Sequence, residues 1–498
     1  MKKCLVLLLL ALTLQATRAQ SSAPKREFRG AWIQCVNGQF EGLTPEAMRQ
    51  KLTAHLDALA RIHVNTIFFQ VRPEADALYH STMEPWSRFL TGTQGVAPQP
   101  EWDPLQWMIT EAHKRNMELH AWINPYRAKT ARTHQLAATH PYNQHPERFF
   151  HYGDQIIFRP ELAVNRQHIV NVVQDILTHY DVDGIHMDDY FYPYPISGMD
   201  IPDSDAFKAD PRGFSNIADW RRDNVNLLIR DLHNAIRKQK PWVRFGVSPF
   251  GIYHNKQRGP EVPGSDTNGL ENYIALYADV LKWVNEGWVD YNLPQLYWNI
   301  GFKVADYDVL ARFWAQYSSN RPLYFGQDIT RSMKAADPTD PTQSQLPAKL
   351  RLQRQLGAQG SCIWYSAVIA DNFGGVTDYL AKSYYRYPAL LPKMPFIDNR
   401  APKKVKGLKI KQIEGNPMLI WLPRESKGEM DKAVKYVVYR FADGEKPNLD
   451  DPSKIYLITD QTCIKLPYKD GSQRYTYCVT ALDRLQNESK AKSKKVKL

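Results

Sequence analysis

The chain has 498 residues, is 43% hydrophobic and carries a formal charge of +12, enough for two to four domains or one large barrel with an appended module. The charge is unevenly placed. Residues 400–498 hold 22 Lys and Arg against 12 Asp and Glu, and three more cations lie in the first 19 residues, leaving the body of the chain at −1. That excludes a nucleic-acid groove around the acids of the main body, and it permits loose attraction of a basic C-terminal module to an anionic envelope surface.

Taken in order, residues 1–19 read as a secretory signal. Lys2 and Lys3 precede an apolar run over 5–12, and Thr17-Arg18-Ala19 offers small residues for cleavage before Gln20. The run is too short for a permanent membrane span, and no later stretch qualifies. The expectation is an exported protein, periplasmic or secreted. Cys35, Cys362, Cys463 and Cys478 are too scattered for a disulfide framework or a zinc site; a Cys463–Cys478 bridge is left open.

From residue 28 onward, short apolar strands alternate with helical patterns. Strands are predicted over 28–35, 65–72, 118–124, 182–188, 244–250, 289–297, 323–328 and 360–366. Helices are predicted over 45–62, 105–116, 165–180, 219–239, 272–286, 306–318 and 348–356. Eight strands alternating with helices imply a (β/α)8 TIM barrel over 27–387. A Pro-rich linker over 388–404 follows. Residues 405–498 read as spaced short strands, a small all-β sandwich of fibronectin type III kind. Trp421 is its expected core tryptophan and Tyr475 its corner tyrosine.

The stretch that organises the rest is Val182-Asp183-Gly184-Ile185-His186-Met187-Asp188-Asp189-Tyr190. An apolar strand that ends in two adjacent carboxylates is unusual, because carboxylates resist burial unless paired or used. The C-terminal strand ends of a parallel barrel collect catalytic side chains. Strand alternation turns His186 and Asp188 inward. The same parity brings in Gln70 and Arg72, then His120, Trp122, Asn124 and Tyr126, then Ser248, Gln295 and Tyr297, and finally Tyr324, Asp328 and Trp364 or its neighbour Tyr365; Tyr190 joins them from the loop. Flat aromatics with amides and carboxylates suit sugar rings, whose C–H faces stack and whose hydroxyls need polar partners. Glycosidic cleavage usually needs two carboxyl groups. Asp188 is the first choice, with Asp328 (across the barrel), Asp189 and the loop acids Asp76 and Glu74 as partners. Continued strand alternation would point Asp188 and Asp189 to opposite sides. Arg72 is expected to hold one carboxylate ionised. No cofactor or metal is expected.

Four motifs, Phe28-Arg29-Gly30-Ala31-Trp32, Phe69-Gln70-Val71-Arg72-Pro73 with Asp76-Ala77-Leu78-Tyr79, Ala121-Trp122-Ile123-Asn124-Pro125-Tyr126-Arg127, and Asp183-Gly184-Ile185-His186-Met187-Asp188-Asp189-Tyr190, resemble the tenth glycosyl-hydrolase-like barrel family of bacteria. The resemblance covers about residues 27–370. It implies a TIM barrel and, since the family includes an enzyme that cuts peptide-free peptidoglycan strands, that substrate class. The stretch Thr480-Ala481-Leu482-Asp483-Arg484 resembles an appended fibronectin type III domain. The fourth strand is more distantly similar to chitinase-type barrels, but His186 stands where an aspartate belongs and Tyr190 where the acid glutamate belongs. An α-amylase-like pattern fits Asp188 as nucleophile better, although Val247-Ser248-Pro249-Phe250 lacks its strand-five glutamate. Two other readings are a metal-dependent hydrolase or deacetylase built on His120, His186 and Asp188, and a non-catalytic glycan-binding protein.

Overall fold

The structure, a computed structural model, describes residues 23–318, 320–468 and 470–498; the expected signal segment lies outside the described residues. The chain divides into two compact units. One comprises Phe28–Tyr379 with Pro392–Arg400, the other Leu380–Leu391 and Ala401–Leu498 with the described residues 23–27.

The larger unit holds eight parallel strands: β1 Phe28–Ile33, β2 Thr66–Arg72, β3 Glu118–Ile123, β4 Gly184–Met187, β5 Arg244–Val247, β6 Tyr291–Asn292, β7 Phe325–Asp328 and β8 Gly360–Trp364. Their order is β7-β8-β1-β2-β3-β4-β5-β6. Parallel bridges Asn292–Leu323 and Gln295–Gly326 join the two ends, so the sheet closes into a barrel. Helices intervene between strands as the apolar spacing predicts. Thr44 caps Pro45–Arg61 by accepting the Ala47 N–H, and Leu52, Leu56 and Leu59 bury one face of that helix.

The barrel interior is filled, and glycines make the filling fit. A Cβ on Gly246 would stand 2.2 Å from the Tyr291 ring, and one on Gly184 would stand 2.5 Å from the His120 ring. These inward positions alternate with large rings. Phe28 stacks on Tyr324 at 3.9 Å, and Phe68 stacks on His186 at 4.1 Å. Below them Glu118 and Arg244 form a buried ion pair at 2.7 Å. The barrel is thus a packed core with its open chemistry at the C-terminal rim.

Three expectations change. The sixth strand shortens to Tyr291–Asn292, because Pro294 has no N–H to give the ladder. The 272–286 helix breaks into Asn272–Ala275 and Val280–Asn285, since Tyr277 takes a φ of 53° and Asp279 restarts the turn by capping Lys282 N. The long loop after β3 contains an unexpected three-stranded antiparallel sheet, with Gln155–Phe158 between Arg127–Lys129 and Phe149–Tyr152.

The smaller unit is all-β. Strands β9 Lys406–Ile413, β10 Asn416–Leu422 and β13 Cys463–Lys465 form one sheet in the order β9-β10-β13; β11 Lys435–Ala442, β12 Ile455–Thr459, β14 Arg474–Leu482 and β15 Lys492–Lys497 form another in the order β12-β11-β14-β15. Trp421 is fully buried between them with Tyr436, Val438, Tyr477 and Val479. Tyr475 is half-buried, its hydroxyl on Gln473, whereas Tyr477 on the same strand is fully buried in the core. Cys463 and Cys478 are free thiols. The expected linker begins inside this unit: Leu390 packs on Val437, Tyr439 and Phe441, and its backbone pairs with Lys25 and Glu27.

Gly246→Ala should lower the unfolding free energy by about 3 kcal/mol, the upper end for overpacking a rigid core. Denaturant unfolding reads this directly, and a change within about 0.5 kcal/mol, as for a neutral surface substitution, would show that Tyr291 yields.

Candidate active site

Strand β4 ends at Met187, so strand alternation no longer applies to the acids that follow. The Asp189 N–H turns back onto Asp188 Oδ1 at 2.9 Å, and the two carboxyls lie close enough to share a proton. This corrects the expectation that they diverge. Gln295 Nε2 also donates to Asp188 Oδ1 at 3.0 Å and to the Ser248 carbonyl at 2.8 Å. Asp189 is buried, and Tyr194 donates its hydroxyl to it. Asp188 is half-buried and faces the rim.

Among the described residues neither acid has an ion-pair partner. Burial, then the charge of Asp188, pushes Asp189 well above the usual carboxylate range. Burial raises Asp188 too, while the Asp189 amide, the Arg127 charge and Gln295 pull it down. Both shifts favour the protonated form, and the stronger push falls on Asp189, which sits deeper and feels the charge of Asp188.

The aromatic rim is built from β1, β3, β8 and the segment that follows β6. Tyr297 stacks on Trp364 at 6.0 Å with a 26° tilt, and Trp32 stands edge-on to both. Trp122 meets Trp364 edge-on at 6.4 Å. Tyr297 and Trp364 are half-buried, and the Tyr297 hydroxyl lies in the field of Asp188, Asp189 and Asp328. Buried polar atoms without a partner cluster on β2, β3 and the turn after β3: Gln70 Nε2, Trp122 Nε1, Asn124 Oδ1 and Arg127 Nη2. Gln70 uses its other end to hold the Cys35 and Val36 amides after β1.

Other expected site residues have structural duties. Arg72 is fully buried, with a two-bond grip on Glu84 at 2.6 and 2.7 Å and further bonds to the Asn124 and Pro125 carbonyls. It locks the loops after β2 and β3 and does not reach Asp188. His186 lies beneath the rim, between Trp32 Nε1, Ser248 Oγ and the Tyr291 hydroxyl, and burial keeps it neutral. His120 shares the same Tyr291 hydroxyl at 3.0 Å, so both histidines belong to the barrel core and not to a metal centre. Tyr126 is fully buried, and its hydroxyl feels the charges of Arg166, Glu161 and Asp231. Asp328 caps Ile329–Lys334 through the Arg331 N–H and pairs with the Arg331 side chain at 3.2 Å. Asp76 is buried with Glu74 and held by Gln94 at 2.9 Å and the Glu74 amide.

Two contributors escape strand parity. Arg127 is buried, lies 4.0 Å over the Tyr190 ring and donates to the Pro73 carbonyl at 3.2 Å. It is the cation that acts on Asp188 and Asp189. Tyr194 reaches Asp189 from the loop. Arg127 ends the Ala121–Arg127 motif, but it opens the short strand Arg127–Lys129 beyond β3, where the alternation of β3 says nothing of direction.

The glycosyl hydrolase-like 10 family model matches residues 27–343. The chain belongs to that family. Over 483 residues it is 39% identical to glycosyl hydrolase YngK of Bacillus subtilis, covering 95% of this chain and 94% of that protein. It is 37% identical to glycosyl hydrolase DigH of Escherichia coli K12 over 334 residues, 62% of this chain and 74% of that protein. Among solved structures, the catalytic domain of the Paenibacillus polymyxa β-amylase aligns at 8% identity with a TM-score of 0.48, covering 74% of this chain and 99% of that one. In this family member the rim of β4, β6 and β8 carries the acids and the aromatic shelf.

Asp76 has a pKa pushed up to about 7, by burial first and Glu74 second. A carboxyl that binds its proton more tightly when folded makes stability fall as pH rises from the unfolded value toward 7. That share of the slope should vanish in Asp76→Asn, measured by denaturant unfolding across the range. An unchanged slope would contradict the assignment.

Proposed function

We propose that the protein is an exported glycoside hydrolase of cell-wall glycan, with peptide-free peptidoglycan strands as the leading substrate. The observation that carries this is the adjoining pair Asp188–Asp189, tied by the Asp189 N–H and acting on the hydroxyl of Tyr297, which forms a half-buried shelf with Trp364. Family membership and the names of both relatives support glycoside hydrolysis; the basic leader with its apolar run supports export. The smaller unit's strand order, three strands over four, supports a fibronectin type III module.

Two carboxyls in contact are too close to flank a glycosidic bond as nucleophile and acid. The pair fits a single role, acid then base. Asp188, half-buried, meets the leaving oxygen and passes it a proton as the C–O bond breaks, and Asp189 behind it keeps the pair protonated at neutral pH. The nucleophile is then the substrate's own 2-acetamido oxygen, which closes on the anomeric carbon from the opposite face. Water opens that ring and returns a proton to Asp188, so configuration is retained. Gln295 Oε1 and the Tyr297 hydroxyl, both beside the pair, are the groups offered to orient the acetamido group. Amino sugars are the class this chemistry requires.

Asp188→Asn should lower turnover of purified peptide-free strands by about 10²–10⁴-fold without loss of fold, with products read by mass spectrometry beside chitin and starch. Asp189→Asn should lower it and shift its alkaline limb toward neutral pH. Equal cutting of strands stripped of their acetyl groups would contradict the substrate-assisted route. Glycan capture without any shortening would assign the protein to glycan binding alone.

A further inference from the structure

The smaller unit carries a second shaped feature that the chemistry above does not use. Strand β11 lies between β12 and β14, and Arg440 pairs across to Tyr477. The Arg440 guanidinium is held between two tyrosine rings, 4.9 Å from Tyr456 on β12 and 5.1 Å from Tyr475 on β14. These three side chains line a cavity of about 320 Å³ with Ser453, Lys454 and Glu445 on its edge. Lys454 is neutralised by Glu445 at 2.5 Å. Arg440 has no carboxylate partner among the described residues.

A half-buried arginine fixed between two aromatic faces is pre-organised. Its planar donors suit the two oxygens of a carboxylate, and a tyrosine face suits the C–H surface of a sugar ring. A neutral glycan would leave the cation unused. The lysines of the edge strand β15 add diffuse attraction but no selectivity.

We propose that the Arg440 cavity binds the carboxylate-bearing sugar of an acidic glycan strand, holding the chain on its polymer while the barrel cuts elsewhere. The choice of glycan rests on the proposed function, since strands freed of peptide expose one carboxylate per disaccharide; the site itself uses none of the rim residues.

The test is affinity electrophoresis of the full chain carrying Asp188→Asn, so that strands are bound and not cut. Soluble peptide-free strands, the same strands with carboxyls methyl-esterified, and a single-stranded oligonucleotide serve as probes. Retardation by the free-acid strands should drop at least about tenfold on esterification and by a similar factor in Asp188→Asn/Arg440→Met. Arg440→Lys should fall between, keeping charge without the planar fork. Arg440→Met alone should leave turnover of a short soluble oligosaccharide unchanged. Equal retardation with and without Arg440, or an esterification effect that persists undiminished in Arg440→Met, would overturn the assignment, as would stronger retardation by the oligonucleotide. Should the wild-type chain cut nothing while Arg440-dependent retardation stands, the hydrolase reading fails and this site survives. Active wild type with Arg440-independent binding gives the reverse.

Discussion

Two adjacent carboxyls, held together in a nearly dry rim with no ion pair among the described residues, are the constraint on which the account depends. Aspartates in such a place keep a proton that solvent-exposed aspartates would lose. The chain places Arg127 near enough to moderate the pair electrostatically, but that guanidinium is stacked on Tyr190 and bonded to a backbone carbonyl. Arg127 therefore lowers the proton affinity of both carboxyls without forming an ion pair with either among the described residues.

Everything beneath the pair serves to hold it still. Inward glycines let rings of β1, β2, β3 and β6 fill the barrel, so the rim stands on a solid floor. The Arg72–Glu84 clamp, with His168 on the same carboxylate at 2.8 Å, ties the loops after β2 and β3 to the outer helix. A buried ion pair of this kind is costly to break on one side, because the remaining charge is left without compensation. Its place in a quoted motif thus has a mechanical reason distinct from catalysis.

Much of this was legible in the chain. Period-two alternation within strands put His186 and Trp364 on the inner face, and alternating strand and helix signals pointed to an eightfold barrel; Asp188, Gln295 and Tyr297 lie just past the ends of β4 and β6. Alternation stops where strands stop. It therefore misdirected Asp189 and was silent on Arg127, which opens the loop sheet, and on Tyr194, which reaches Asp189 from a loop. Nor can parity rank depth. His186 and Asp188 share a face, yet one is sealed by Tyr291, Ser248 and Trp32 from other strands while the other reaches the rim. The partners of Arg72 and Asp328 were unreadable for a related reason: Glu84 arrives from a long loop, and a helix cap depends on where the helix starts.

The most direct test of the central claim is to observe the proton itself. Carbon-13 NMR of aspartate-carboxyl-labelled protein, titrated across neutral pH and assigned with Asp188→Asn and Asp189→Asn, reports the charge on each member of the pair. A protonated carboxyl that persists at pH 7, disappears in Asp189→Asn and titrates jointly with Asp188 is the expected result. Two fully ionised carboxylates at pH 7, titrating independently in the ordinary acid range, would contradict it.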